Sequence, residues 1–116
     1  MVISKGSVVW VDYGQPRGSE PAKRRPAIAY QNDWLTQSNY NTILTIPLTS
    51  NVARARFPGN VLVRAGTAGL PRDSVAVASH LGPVDRQFID PIPVGTIPYD
   101  TLLEISAAVS TVLGNP

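Results

Sequence analysis

The sequence has no cysteine. Disulfides, thiol nucleophiles and cysteine-ligated zinc or iron–sulfur centres are thereby excluded, and the composition suits a reducing compartment. Histidine is almost as scarce. His80 stands alone, without a second histidine and without a serine–acid arrangement that spacing identifies as a catalytic triad, so a packing or surface role competes with a chemical one. Asp73, Asp85 and Asp90 lack calcium-loop spacing. "GTAG" and "GLP" lack the strand-to-helix setting and the lysine of a phosphate-binding loop, and no dinucleotide fingerprint is present. Neither a metal nor a cofactor is expected. No run reaches the roughly 20 apolar residues of a membrane span. The first residues, "MVISKGSVVW", meet Lys5 and Gly6 before a signal-like apolar core forms. A cytoplasmic chain without membrane contact is the expectation. Internal repeats and low-complexity tracts are also missing.

What remains is one domain over residues 1–116, long enough to bury a core without external staples. The net charge is only +2, but its distribution is uneven. Lys5, Arg17, Lys23, Arg24, Arg25, Arg54, Arg56, Arg64 and Arg72 all precede position 73, and only Arg86 follows it. Such asymmetry favours a phosphate-bearing partner, with scattered surface cations as the alternative.

Runs rich in β-branched and aromatic residues predict strands at "SVVWVDY" (7–13), "PAIAYQ" (26–31), "NTILTIPL" (41–48), "NVLVRA" (60–65) and "DSVAVAS" (73–79). The connections "GQPRGSEPA", "NDWLTQSNY", "TSNVARARFPG" and "GTAGLPRD" carry turn chemistry. Strand follows strand with no helix between, which argues against a parallel sheet and for a small antiparallel barrel whose closure protects short edges. "DRQFIDPIPVGTIP" is proline-rich and irregular, with room for one short strand. Then the period changes. Leu102, Ile105, Val109 and Val112 fall at helical spacing, and Gly114 and Pro116 supply the stop, so a single amphipathic helix ends a mainly β (α+β) domain.

Three segments can carry chemistry. Lys23, Arg24 and Arg25 run directly into Pro26, which biases Arg25 towards extended backbone and fixes it at a strand entry. A guanidinium fork there matches two oxygens of a phosphoryl group; pairing with Glu20 or Asp73 is the alternative. Thr49, Ser50 and Asn51 end an apolar strand with three hydrogen-bonding side chains, able to orient a phosphodiester or to cap a turn. Arg54 and Arg56 alternate in the next loop, as a backbone-tracking groove or a solvated loop would have them. Trp10 lies within the first strand and reads as core, whereas Trp34 sits in a polar loop where stacking on a base or partner is conceivable.

Taken in order, these segments resemble the MazF/PemK family of toxin endoribonucleases from toxin–antitoxin modules. "KGSVVWVDYGQPRGSE", "RRPAIAYQND", "TIPLTSN", "PGNVLV" and "GLPRDSVAVASHLGPVD" match its motifs in register over nearly the whole chain. The resemblance implies a small SH3-like or CcdB-like barrel with a C-terminal helix, assembled as a homodimer. It implies metal-independent, sequence-specific cleavage of single-stranded RNA, in which the 2′-hydroxyl attacks the neighbouring phosphate to leave a 2′,3′-cyclic phosphate and a 5′-hydroxyl. Arg25 then stabilises the phosphorane and Thr49 holds the phosphate in line. Because the nucleophile belongs to the RNA, the chain needs none of its own. The RNA-contacting set extends to Gly18, Ser19, Glu20, Lys23, Arg24, Ser50, Asn51, Arg54, Arg56, Ser74, Ser79 and His80. The family also implies a cognate antitoxin, whose acidic disordered segment would occupy a basic groove. Where some members carry an acid at the end of the fifth strand this chain has Ser79, followed by His80, and Gly82 stands where an arginine is frequent. A noncatalytic gyrase poison on the same barrel, or an inactive antitoxin-binding relative, are the competing readings.

Overall fold

Valine and isoleucine at alternate positions build a sheet that is buried on both sides along its middle. The computed structural model describes residues 2–114. Its strands are β1 (Ser7–Asp12), β2 (Arg24–Ala29), β3 (Thr42–Thr49), β4 (Asn60–Val63), β5 (Ser74–Val77), β6 (Gly82–Asp85) and β7 (Gly95–Thr96), with helices α1 (Asp33–Gln37) and α2 (Tyr99–Leu113). The hydrogen-bonded path is β4-β5-β3-β2-β1-β7, and β6 pairs with β3. All pairings are antiparallel.

The long strand β3 organises the sheet. Its first half, Thr42–Thr45, pairs with β6, and Leu48 and Thr49 pair with β5. Pro47 lies in the gap. Having no N–H to donate, it stands where one partner strand has ended and the next has begun. The sheet therefore curls into a half-barrel. Among the described residues β4 and β7, at the two ends of the path, share no ladder. They are bridged by backbone packing, because a Cβ on Gly95 would lie 2.3 Å from the Ala68 carbonyl, and one on Gly69 would lie 2.3 Å from the Val94 oxygen. Glycine at both positions lets the β4–β5 loop rest on the chain entering β7.

Strand alternation sorts the core into two clusters. Val8, Ile28, Ile46, Leu48 and Val63 face α2 and join Ile97, Ile105, Ala108 and Val109. Val9, Val11, Ala27, Ala29 and Ile43 face the opposite side with Ile3 and Ile89. Helix α2 follows the predicted stripe through Leu102, Ile105 and Val109, but Val112 is 40% exposed. It lies beyond the cluster and leans on Gly59, where an added Cβ would meet its Cγ2 at 2.8 Å. Gly114 closes the helix at φ 76°, its N–H donating to the Ser110 and Thr111 carbonyls. Pro116, the other half of the expected stop, lies outside the described residues.

Two elements were not expected. The connection "NDWLTQSNY" contains α1, started by Asn32, whose Oδ1 accepts from the Trp34 N–H at 2.8 Å. It is tied down by buried Gln31, which donates to Thr36 Oγ1 and to the Thr42 carbonyl while accepting from Leu44 N–H. Arg86 fastens the other end by donating to the Thr36 and Tyr40 carbonyls. Strand β6 occupies "GPVD", which as a sequence reads only as the exit from the fifth strand.

Candidate active site

Two adjacent arginines in extended backbone must point to opposite faces of the sheet. Arg24 and Arg25 both lie within β2, opposite Asp12 and Val11 of β1. The Arg24 guanidinium lies over the Trp10 ring, 4.6 Å from its centroid. Arg25 turns the other way, and its Nε donates to the Ala22 carbonyl at 2.9 Å. That bond fixes the plane of the fork and leaves its terminal nitrogens for an incoming oxyanion. Lys23 makes the geometry possible. At φ 64° it closes the neck of the β1–β2 loop, donating to the Gly14 carbonyl at 2.7 Å and accepting from Tyr13 N–H at 2.9 Å.

Thr49, the last residue of β3, is the second fixed group. Its Oγ1 accepts from Asn51 N–H at 3.2 Å, so the hydroxyl proton is directed away from the turn and can be donated to an oxyanion. Both Arg25 and Thr49 stand on the partition between two cavities. On one side lies a cavity of about 140 Å³, lined by Ser19, Glu20, Arg54 and His80 among others. On the other is a cavity of about 410 Å³ with Trp10, Arg24, Ser50, Arg72 and Ser74 on its walls. Alternation assigns the strand residues between them: Pro47 and Val77 face the smaller cavity, Leu48 and Ser74 the larger.

Of the residues expected to contact RNA, Ser19, Glu20, Arg54 and His80 gather in the small cavity, and Arg24, Ser50 and Ser74 in the large one. Others line neither. Gly18, Lys23, Asn51 and Ser79 are exposed in turns around the rim. Arg56 is also turned away, its guanidinium 5.6 Å from the Phe57 ring centroid. The segment Val52–Arg56 is a 3₁₀ turn rather than an extended loop, so residues two apart diverge instead of sharing a face. The reading of Trp10 as core is corrected as well: it is half-exposed and forms a wall of the large cavity. Trp34 is 78% exposed on α1. Arg72 joins the large cavity from the β4–β5 loop, where the sequence marks it only as one cation among many. Neither acid suggested as a partner of Arg25 is hydrogen-bonded to it: Asp73 accepts from Ala65 N–H within its own loop, and Glu20 shares the cavity.

Electrostatics divide the site. Partial burial and the charges of Arg54 and Arg25 lower the pKa of His80 from its usual 6.5, keeping the imidazole neutral at physiological pH. Beneath the rim Tyr13 is pushed up to about 12, chiefly by burial, with its hydroxyl 2.7 Å from Thr45 Oγ1. An unfolded tyrosine ionises near 10, so stability is intact below that pH and falls by about 1.4 kcal/mol per pH unit as the pH rises towards the folded value. Tyr13→Phe is expected to cost about 1–3 kcal/mol at neutral pH, because the buried Thr45 hydroxyl loses its partner, and to flatten that alkaline slope. Denaturant melts at several pH values would register both effects.

An arginine and a threonine thus stand fixed between a basic, aromatic-walled cavity and a smaller polar one, an arrangement chemically able to hold an oxyanion. The model of the PemK-like, MazF-like toxins of type II toxin–antitoxin systems matches residues 4–113; the chain belongs to this family. It is 38% identical over 113 residues to the endoribonuclease MazF6 of Mycobacterium tuberculosis (strain ATCC 25618 / H37Rv), covering 97% of this chain and 98% of that protein. The crystal structure of MazF (Form-I) from Deinococcus radiodurans superposes with a TM-score of 0.80 at 25% identity, over 98% of each chain. An endoribonuclease in complex with its cognate antitoxin, from a mycobacterial species, shares the fold with a TM-score of 0.71 at 19% identity, over 97% of this chain and 93% of that one.

Proposed function

We propose that this protein is an endoribonuclease toxin that cleaves single-stranded RNA without a metal ion and is held in check by an antitoxin. The observation that carries this reading is the placement of Arg25 and Thr49 on the partition between the two cavities. A phosphodiester seated there has a chain running in both directions, so one nucleotide enters each cavity. The large cavity offers Trp10 for stacking and Arg24 and Arg72 for phosphates.

In this reading the 2′-hydroxyl attacks the adjacent phosphorus and the 5′-oxygen leaves. Charge grows on the non-bridging oxygens, where the terminal nitrogens of Arg25 and the Thr49 hydroxyl donate hydrogen bonds. Base preference is written in the β1–β2 loop and the cavity walls, since phosphate contacts carry no sequence information. An acidic antitoxin segment would compete for the same cations; a structural neighbour is an endoribonuclease in complex with its cognate antitoxin. A second copy of the chain would cover apolar side chains left open beside the end of α2, among them Phe57 and Leu113, which are 52% and 62% exposed. A gyrase poison would leave the Arg25–Thr49 seat unused.

Incubation of the purified protein with a long single-stranded RNA in excess EDTA tests the proposal. Discrete cuts bearing cyclic phosphates are expected; RNA left intact at enzyme excess would refute it.

A further inference from the structure

Transphosphorylation needs a group to receive the 2′-hydroxyl proton, and neither Arg25 nor Thr49 supplies one: a guanidinium has no free lone pair, and a threonine hydroxyl is far too weak a base. We propose that His80 is the general base of this site, its neutral imidazole taking the proton from the 2′-hydroxyl as that oxygen attacks phosphorus. The inference rests on the endoribonuclease reading above.

Position comes first. His80 lines the small cavity together with Arg25 and Thr49 and also borders a neighbouring cavity of about 370 Å³ with Tyr13, Gln15 and Arg17. With Glu20 and Pro21 it forms the wall these two cavities share. Its backbone is held. The 3₁₀ turn Ala78–His80 begins at buried Ala78, whose N–H donates to the Gly59 carbonyl at 3.2 Å and whose own carbonyl accepts from Leu81 N–H at 3.1 Å. Leu81 packs on the main cluster, so the imidazole is presented from a fixed turn and not from a loose tail.

The surrounding charges suit a proton acceptor. Arg25 faces His80 from β2, Arg54 from the 3₁₀ turn Val52–Arg56, and Glu20, Arg17 and Tyr13 from the β1–β2 loop and its root. Partial burial and the charges of Arg54 and Arg25 disfavour the imidazolium. A free lone pair is therefore available at neutral pH. Once RNA is bound, the seated phosphate offsets those cations and makes the imidazole more basic, when a base is required. Among the described residues Glu20 is the one carboxylate lining the small cavity and so the natural rival. Ser79 lines neither cavity.

The step balances without an added reactant. The 2′-O–H bond breaks, its proton goes to an imidazole nitrogen, and the oxygen's electron pair forms the bond to phosphorus. The bond from phosphorus to the 5′-oxygen breaks with its pair on oxygen, which takes a proton from water. The imidazolium then returns one proton to solvent.

The test is the pH dependence of cleavage of a short RNA containing one mapped cut site, in EDTA, over about pH 5 to 9, for wild type, His80→Gln and Glu20→Gln. For wild type, kcat/KM should rise with pH through an apparent pKa below 6.5, and kcat through a higher one. His80→Gln should lower kcat about 10²–10⁴-fold with little change in KM and abolish the acidic limb. Glu20→Gln should keep it. Should His80→Gln misfold, His80→Ala assayed with added imidazole gives a second route, with recovery of rate expected. Retention of rate and limb by His80→Gln, or loss of the limb only in Glu20→Gln, would overturn this assignment and leave the nuclease reading standing. Failure of wild type to cut any RNA would overturn both.

Discussion

Arg25→Ala is expected to lower kcat/KM for RNA cleavage about 10²–10³-fold, the cost of removing one charged donor from a preorganised oxyanion site. The fold should survive, because the side chain is half-exposed and, among the described residues, its one hydrogen bond runs to the Ala22 carbonyl. Arg25→Lys separates charge from geometry. An ammonium keeps the positive charge but cannot reproduce a planar fork anchored at Nε, so most of the loss should persist. A salt-bridge role for Arg25 makes the reverse prediction, a drop in melting temperature with activity retained. Initial rates alongside thermal melts distinguish the two.

Ending the chain at Thr96 should prevent folding. The truncation removes α2 and with it Ile97, Ile105, Ala108 and Val109, four members of the main core cluster. Ile105 is fully buried, and burying such a side chain contributes about 1.5–3 kcal/mol. The faces of Val61, Val63 and Ile46 would be uncovered at the same time. A small domain has only about 5–15 kcal/mol of stability in all, so losses of this kind, with the sheet face uncovered as well, are as large as its whole margin. Ile105→Ala grades the effect, with an expected cost of about 2–5 kcal/mol in a denaturant titration. A soluble truncated chain that melts cooperatively would show that the sheet stands without its helix.

The strands were readable because alternation of Val, Ile and Thr is a local signal, and each of the five predicted runs overlaps an observed strand, although β2 starts two residues earlier than expected, at Arg24, and β3 runs on to Thr49. Elements held by distant partners were not. Helix α1 has five residues and no apolar period; it is held because Arg86 reaches the Thr36 carbonyl from far along the chain and Gln31, just before the helix, ties it to β3. Strand β6 contains Gly82 and Pro83, poor strand formers that sit there because β3 has a free edge to pair with. The site divides in the same way. Arg25 and Thr49 announce themselves through a proline and a strand end. Trp10 and Arg72 become cavity walls only through the register of β1 on β2 and the approach of the β4–β5 loop to Gly95. Arg56 was misplaced because a 3₁₀ turn and an extended loop look alike in that stretch.

That the partition between the cavities seats a scissile phosphate attacked by the RNA's own hydroxyl can be tested with one altered atom. A short RNA is cut by the wild-type protein, its cleavage site is mapped, and the same strand is then supplied with a single 2′-deoxynucleotide on the 5′ side of that linkage, with binding measured in parallel. Unchanged affinity with no cleavage at the altered linkage is the predicted result. Cleavage there at an undiminished rate would mean that the nucleophile is water or a protein group, and that the Arg25–Thr49 seat serves a different reaction.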